Sequence, residues 1–373
     1  MIRFNILTFK KMILFVYSII AICLLIGIYS LIPAHTPRIK DAQGNLLKGS
    51  ITSLEKLMIG GKEQWILLRS ENTQKHILLF LNGGPGTADM TRLRRFTPEL
   101  EKHFVVVTWD QMGAGKSYAA INPNSAMTIN QFVSDTYELI EMLRHRFNQK
   151  KIYLAGHSWG SVIGILTVQR YPDLFYAYIG IGQVANMKEG EQLSYDWTLE
   201  QAQKAHDKGA IKKLIDIGRP PYTGDWQKKT IAERQLLGKY GGEVYGNSKG
   251  GFLIVLSNLI RATGYTIFDK VNFFRGVFGS MRLLWQELMT INFIEQVPNL
   301  KIPLFFMLGK HDYKVPYPLA EQYFNILEAP SKELIWFENS AHFLNIEEND
   351  KFNDVLINHV LPNNLCRKVG FDC

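Results

Sequence analysis

The sequence predicts an α/β fold: a mostly parallel sheet with helices on both faces, and a block of helices inserted as a cap before the late strands. Three observations predict it. The runs at 76–81, 104–109 and 151–155 are continuously apolar. They lack the in–out alternation of a sheet with one wet face, so they read as strands buried on both sides. Helical spacing recurs between such runs, most clearly over 129–147, which is the rhythm of parallel crossovers. That rhythm stops after Gln183 and resumes at Pro303, so the stretch between is too long for a crossover and reads as an insertion.

Taken in order, Met12 to Ile32 carries no charged residue. At 1.5 Å per residue a helix of that length would cross a bilayer core. Arg3, Lys10 and Lys11 precede it and Pro33 ends it. Residues 1–35 are therefore expected to be an uncleaved N-terminal transmembrane helix, with the membrane as a partner through 12–32. A cleaved signal peptide would have a shorter apolar region and a small-residue cleavage site. Arg38 and Lys40 on the far side leave a slight positive-inside preference for an extracytoplasmic main domain. Residues 36–49 read as a polar linker.

The first part of the core is expected over 50–185. Leu54–Ile59 and Gln64–Leu68 flank Gly60-Gly61, the signal of a hairpin. Strands at 76–81 and 104–109 enclose a helix near 90–101. In the helix 129–147, Phe132, Val133, Thr136, Leu139, Ile140 and Leu143 share one face. A strand at 151–155, a helix ending at Arg170 and a strand at 177–181 complete this part. The cap, 186–298, holds helical stretches at 191–217, 226–237, 252–261 and 281–289. The core closes over 299–373 with strands at 303–308 and 334–337 and helices at 317–327 and 344–360.

Composition narrows the classes of function. The chain has 373 residues, 46% of them hydrophobic, enough for one elaborated domain. Its net charge of +8 comes without a basic stripe interleaved with aromatics, so no nucleic-acid partner is expected. Of the three cysteines, Cys366 and Cys373 lie close enough in sequence to pair in an oxidising compartment, and none has a metal-like spacing. No metal or cofactor is expected. The oligomeric state is not set by one sequence.

The chemistry is carried by Gly156-His157-Ser158-Trp159-Gly160, set between an apolar run and a helix-like stretch. A strand–G-x-S-x-G–helix pattern is a nucleophile elbow: the turn exposes the serine hydroxyl at a helix N-terminus. A second match, Gly246-Asn247-Ser248-Lys249-Gly250, follows no buried strand and reads as a loop. A serine needs a base, and the base needs an orienting acid. Asp312 follows the strand at 303–308 and His342 follows the last strand, in the order Ser…Asp…His. His157 reads as shaping the elbow. Backbone N–H groups from Trp159 and from the glycine loop Asn82-Gly83-Gly84-Pro85-Gly86 would form an oxyanion hole. Gly113-Ala114-Gly115-Lys116-Ser117 lacks the leading glycine of a phosphate loop and reads as a turn braced by Asp110.

These segments resemble proline iminopeptidases, a group of α/β-hydrolase-fold serine enzymes. Asn82-Gly83-Gly84-Pro85-Gly86, Trp109 through Ser117, and Gly156 through Ser161 resemble that group's HGGPG, WDQRGxGxS and GGSWGS. Asn82, Met112 and His157 depart from its usual His, Arg and Gly. The resemblance spans about residues 50–360. It implies Ser158 as nucleophile, His342 as base, Asp312 as orienter, and an oxyanion hole from Gly83 or Gly84 and Trp159. It also implies cap carboxylates that hold the substrate's α-amino group, one of them beside a tryptophan. Trp197 and Glu200 are the nearest match, with Glu191, Glu189 and Glu243 as further candidates. The expected activity is that of a membrane-anchored, proline iminopeptidase-like aminopeptidase, removing an N-terminal proline or another small apolar residue from peptides through an acyl-enzyme. The alternative is an esterase or lipase-type hydrolase of esters, lipids or lactones. A non-catalytic binding protein would carry a damaged triad, and all three residue types are present.

Overall fold

The computed structural model describes residues 14–18, 27, 32–121, 127–246 and 250–361. Eight strands form one sheet in the order β1-β2-β4-β3-β5-β6-β7-β8. β1 (Ile51–Ile59) and β2 (Lys62–Ser70) are the expected hairpin. Its two-residue turn places Gly60 and Gly61 at φ of 59° and 68°, the left-handed pair such a turn requires. β2 runs antiparallel to β4 (Val105–Asp110). From there β4, β3 (Ile77–Leu81), β5 (Ile152–His157), β6 (Phe175–Ile181), β7 (Leu304–Gly309) and β8 (Lys332–Phe337) are parallel. Every residue of β3, β4, β5 and β7 is buried, as continuous apolar runs in a covered sheet require.

Helices cover both faces. After the short α1 (Arg92–Phe96), α2 (Ile129–Phe147) and α3 (Trp159–Arg170) bury Phe132, Leu139, Val162 and Ile165 against one face. Phe80, Phe305, Phe337 and Phe352 form the core on the other. α2 has the span its apolar spacing predicts, with Thr128 accepting the Gln131 N–H as its N-cap. The cap follows β6: α4 (Met187–Lys204), α5 (Lys208–Ile217), α6 (Trp226–Lys239), α7 (Gly250–Arg261) and α8 (Ile267–Leu288). α9 (Phe293–Gln296) leads back to β7, α10 (Tyr317–Ile326) joins β7 to β8, and α11 (Leu344–Glu347) and α12 (Asn349–Asp354) follow β8.

Three helical expectations change. The single stretch 191–217 breaks because Asp207 caps a new helix, accepting the Ala210 N–H. α8 begins well before 281, at a capping box formed by Thr266 and Asp269. The helix expected over 344–360 splits, because the Glu347 and Glu348 carboxylates turn back to bond backbone N–H groups of residues 339, 341 and 343. The cap sits tightly on the core. A Cβ on Gly276 of α8 would lie 2.4 Å from the Gly113 carbonyl oxygen and 2.6 Å from that of Gly86.

The N-terminal transmembrane helix is corrected. Among the described residues no helix is long and apolar enough to cross a membrane. Of the segment 12–32 on which that expectation rested, the described residues are 14–18, 27 and 32, and of these 14–18 and 27 are helical. The single-pass topology, membrane partner and extracytoplasmic placement built on that helix fall with it. The other residues of the segment, Cys23 among them, together with Cys366, Cys373 and the Asn247–Lys249 part of the second G-x-S-x-G, lie outside the described residues.

Candidate active site

Ser158 sits between β5 and α3 at φ 55° and ψ −118°, a sparsely populated region for a residue with a side chain. The surrounding chain holds it there. A Cβ on Gly160 would lie 2.1 Å from the Leu81 carbonyl oxygen, and one on Gly156 would lie 2.4 Å from that of Gly160. Both glycines of the elbow are therefore needed for close backbone approach. The Ser158 N–H donates to Ile181 O at 3.0 Å, tying the turn to the end of β6.

Asp312 lies in the turn after β7 and His342 in the loop after β8. Both are buried, and Asp312 Oδ2 lies 2.8 Å from His342 Nδ1. A carboxylate only accepts, so Nδ1 carries the hydrogen and Nε2 is left as the basic nitrogen. Ser158 and His342 line one cavity. Burial pushes the His342 imidazole well below its ordinary value, Lys314 adds to this, and Glu243 opposes it. Burial raises the Asp312 carboxyl, and the Val315 N–H and the Lys314 ammonium work in the other direction.

His157 braces the site. Its Nε2–H donates to the His342 carbonyl at 2.8 Å, and the two rings lie 4.7 Å apart. Arg92 approaches its Nδ1 at 3.4 Å and pairs with Asp89 at 2.6 Å. Gly83, Gly84 and Trp159 also line the cavity. A Cβ on Gly83 would come 3.4 Å from that of Ser158, so the glycine loop and the serine are in contact. The Trp159 indole donates to Gln111 Oε1 at 2.8 Å and packs edge-on to Phe132, which fixes the first turn of α3. Asp110 braces its turn as expected, accepting from the Lys116 N–H and the Tyr265 hydroxyl.

The cavity measures about 860 Å³. Its cap side is aromatic: Trp226 of α6 and Trp285 of α8 stack with centroids 4.6 Å apart, beside Phe273 and Phe278. Its carboxylates each have a basic partner. Asp89 pairs with Arg92, Glu191 with Arg234, and Glu243 with Lys314. Arg234 also holds the buried Glu233 at 2.9 Å. Burial raises Glu191, against the pull of Arg234, and raises Asp89 and Glu233 to about 7.

Of the expected amine-binding residues, Glu191 lines the cavity, whereas Trp197 and Glu200 do not. Nine residues along α4 is two and a half turns at 3.6 residues per turn, so Glu200 faces away from Glu191. It is exposed and pairs with Lys204. Trp197 instead stacks on Tyr313 at 4.5 Å. Glu189 is exposed in the first turn of α4. Lys314, Arg234 and the Asp89–Arg92 pair were not singled out from the sequence. Only the last carried a local signal, opposite charges three residues apart.

A family model described as alpha/beta hydrolase fold matches residues 76–206. A probable aminopeptidase, YbaC, of Bacillus subtilis (strain 168) is 37% identical over 321 residues, covering 84% of this chain and 97% of that protein. A proline iminopeptidase of Clostridioides difficile (strain 630) is 26% identical over 313 residues, covering 79% and 94%. The crystal structure of proline iminopeptidase from Mycobacterium smegmatis matches with a TM-score of 0.56 at 16% identity, covering 85% of this chain and all of that one, a likeness of fold.

Proposed function

The chain belongs to the α/β-hydrolase family, and from that premise we propose that it is a serine hydrolase of the aminopeptidase kind, cleaving the amide after a substrate's N-terminal residue. The observation that carries this reading is one constellation: a strained, turn-borne Ser158 on the same cavity as a His342 whose Nδ1 is fixed by Asp312. Ser158 Oγ attacks the scissile carbonyl as Nε2 of His342 takes its proton. The oxyanion that forms is met by N–H groups of the glycine loop and of Trp159. The imidazolium then returns the proton to the departing amine, leaving an acyl-enzyme. Water, losing a proton to the same nitrogen, attacks the ester, and collapse restores the Ser158 hydroxyl.

Glu191 is the residue we assign to the substrate's ammonium. Glu191 and Glu233 share one guanidinium, so with both ionised their cluster keeps a surplus negative charge beside the cavity. The name of the similar B. subtilis protein supports an aminopeptidase. The size and aromatic wall of the cavity favour a bulky apolar group next to the scissile bond over a single proline ring, because pockets near this volume take drug-sized ligands. The same wall favours esters of apolar acids as the second reading.

Aminoacyl naphthylamides with free and with acetylated amines, assayed beside short- and long-chain nitrophenyl esters, separate the two. The aminopeptidase reading expects at least a tenfold loss of kcat/KM on acetylation. It also expects Glu191→Gln to raise KM for the free-amine substrates alone. Equal rates on free and acetylated amides would reject it in favour of the ester reading.

A further inference from the structure

Between α6 and α7 the cap sends the segment Gly241–Tyr245 between the two loops that carry Asp312 and His342. The Gly242 carbonyl accepts the N–H groups of Tyr313 and Lys314, at 3.0 and 3.2 Å, directly after Asp312. The Glu243 carbonyl accepts the N–H of His342 itself at 3.1 Å. Tyr245 stacks on His311 with centroids 3.9 Å apart. Trp197, stacked on Tyr313, closes the other side so tightly that a Cβ on Gly242 would lie 2.5 Å from its ring.

Glu347, in α11, joins this segment to the histidine loop. Its carboxylate accepts the Tyr245 N–H at 2.6 Å from the cap. It also accepts the N–H groups of Ala341 at 3.2 Å and Phe343 at 3.0 Å, the two residues that flank His342. Glu347 does not line the cavity, so it has no access to substrate. Three donors converge on one half-buried carboxylate, and charge-assisted bonds of this kind are the strong ones. Burial pushes this carboxyl up to about 7, and the three N–H groups oppose that rise.

We propose that Glu347, together with the cap segment Gly241–Tyr245, is the positioning residue for His342, so that seating of the cap and alignment of the base are one event. A cap that lifts takes with it the carbonyls of Gly242 and Glu243 and the Tyr245 N–H, and so releases both loops that bear the acid and the base. The proposal rests on the reading of Ser158, Asp312 and His342 as the reacting set.

The test uses the full chain, with kcat, KM and melting temperature measured for Glu347→Ala, Glu347→Gln and His342→Ala on the best substrate of the panel above. Glutamine keeps one acceptor oxygen and loses the charge. Glu347→Ala is expected to lower kcat about 10²-fold with KM within about threefold, the scale of a misplaced catalytic group. Glu347→Gln is expected to recover about tenfold of that loss. A folded Glu347→Ala enzyme with wild-type kcat overturns the proposal. If that variant fails to fold, Glu347→Gln decides alone, and wild-type kcat in it is equally fatal. Activity surviving in His342→Ala would instead reject the reacting set on which the proposal stands.

Discussion

At the residue scale the site is governed by burial. His342 and Asp312 are enclosed, and their bond selects the tautomer that leaves Nε2 basic. Desolvation disfavours imidazolium, and the Lys314 ammonium disfavours it further. His342, the proposed base, therefore stays neutral at pH values where a free imidazole with its ordinary value of 6.5 would already be protonated. The acid limb of kcat/KM should accordingly fall below pH 6.5. Because the Glu347 carboxyl is itself pushed up to about 7, the profile is read in Glu347→Gln, and half-loss at or above pH 6.5 in that variant would show that His342 is not the titrating base, or is not desolvated in the free enzyme. Ser158, Asp312 and His342 could be singled out in the sequence because each sits in a fixed place after an apolar run, and the structure bonds Asp312 to His342 and sets His342 on one cavity with Ser158. The residues around them were not. Lys314, Arg234 and Glu347 come from three separate segments, and only the folded chain brings their charges to the cavity or to the His342 loop.

At the element scale, close backbone approach decides the architecture around Ser158. α3 starts against the end of β3, and the contact is so near that only glycine fits at position 160. Gly160→Ala should cost about 1–3 kcal/mol in overpacking, measured by chemical denaturation, and should slow hydrolysis by displacing Trp159. Wild-type stability would mean that this junction is looser than described. Strands and α2 were read closely from the sequence because a covered sheet writes continuous apolar runs and a surface helix writes a clean 3.6-residue stripe. The cap was read less well. Its helices pack on one another and on the cavity, so their apolar residues do not trace one stripe. Their ends are fixed by side-chain caps at Asp207 and at Thr266 with Asp269, signals present in the sequence but weak among many similar ones.

At the scale of the whole molecule, one edge of the sheet carries Ser158, Asp312 and His342, and a helical cap supplies walls of the cavity beside them. The two are stitched together at the loops that bear Asp312 and His342 by Gly242, Glu243 and Glu347. This division explains why the candidate reacting groups were easier to read from the sequence than the pocket around them. The proposed reacting groups follow strands whose order is legible, whereas the cavity's cap-side walls are side chains that meet only in three dimensions. The most direct test of the central claim is covalent labelling with a fluorophosphonate probe followed by peptide mapping. The account predicts one adduct, on Ser158, absent from Ser158→Ala and slowed at least about 10³-fold in His342→Ala, on the scale of a dismantled triad. An adduct on another residue, or a rate indifferent to the loss of His342, would contradict it.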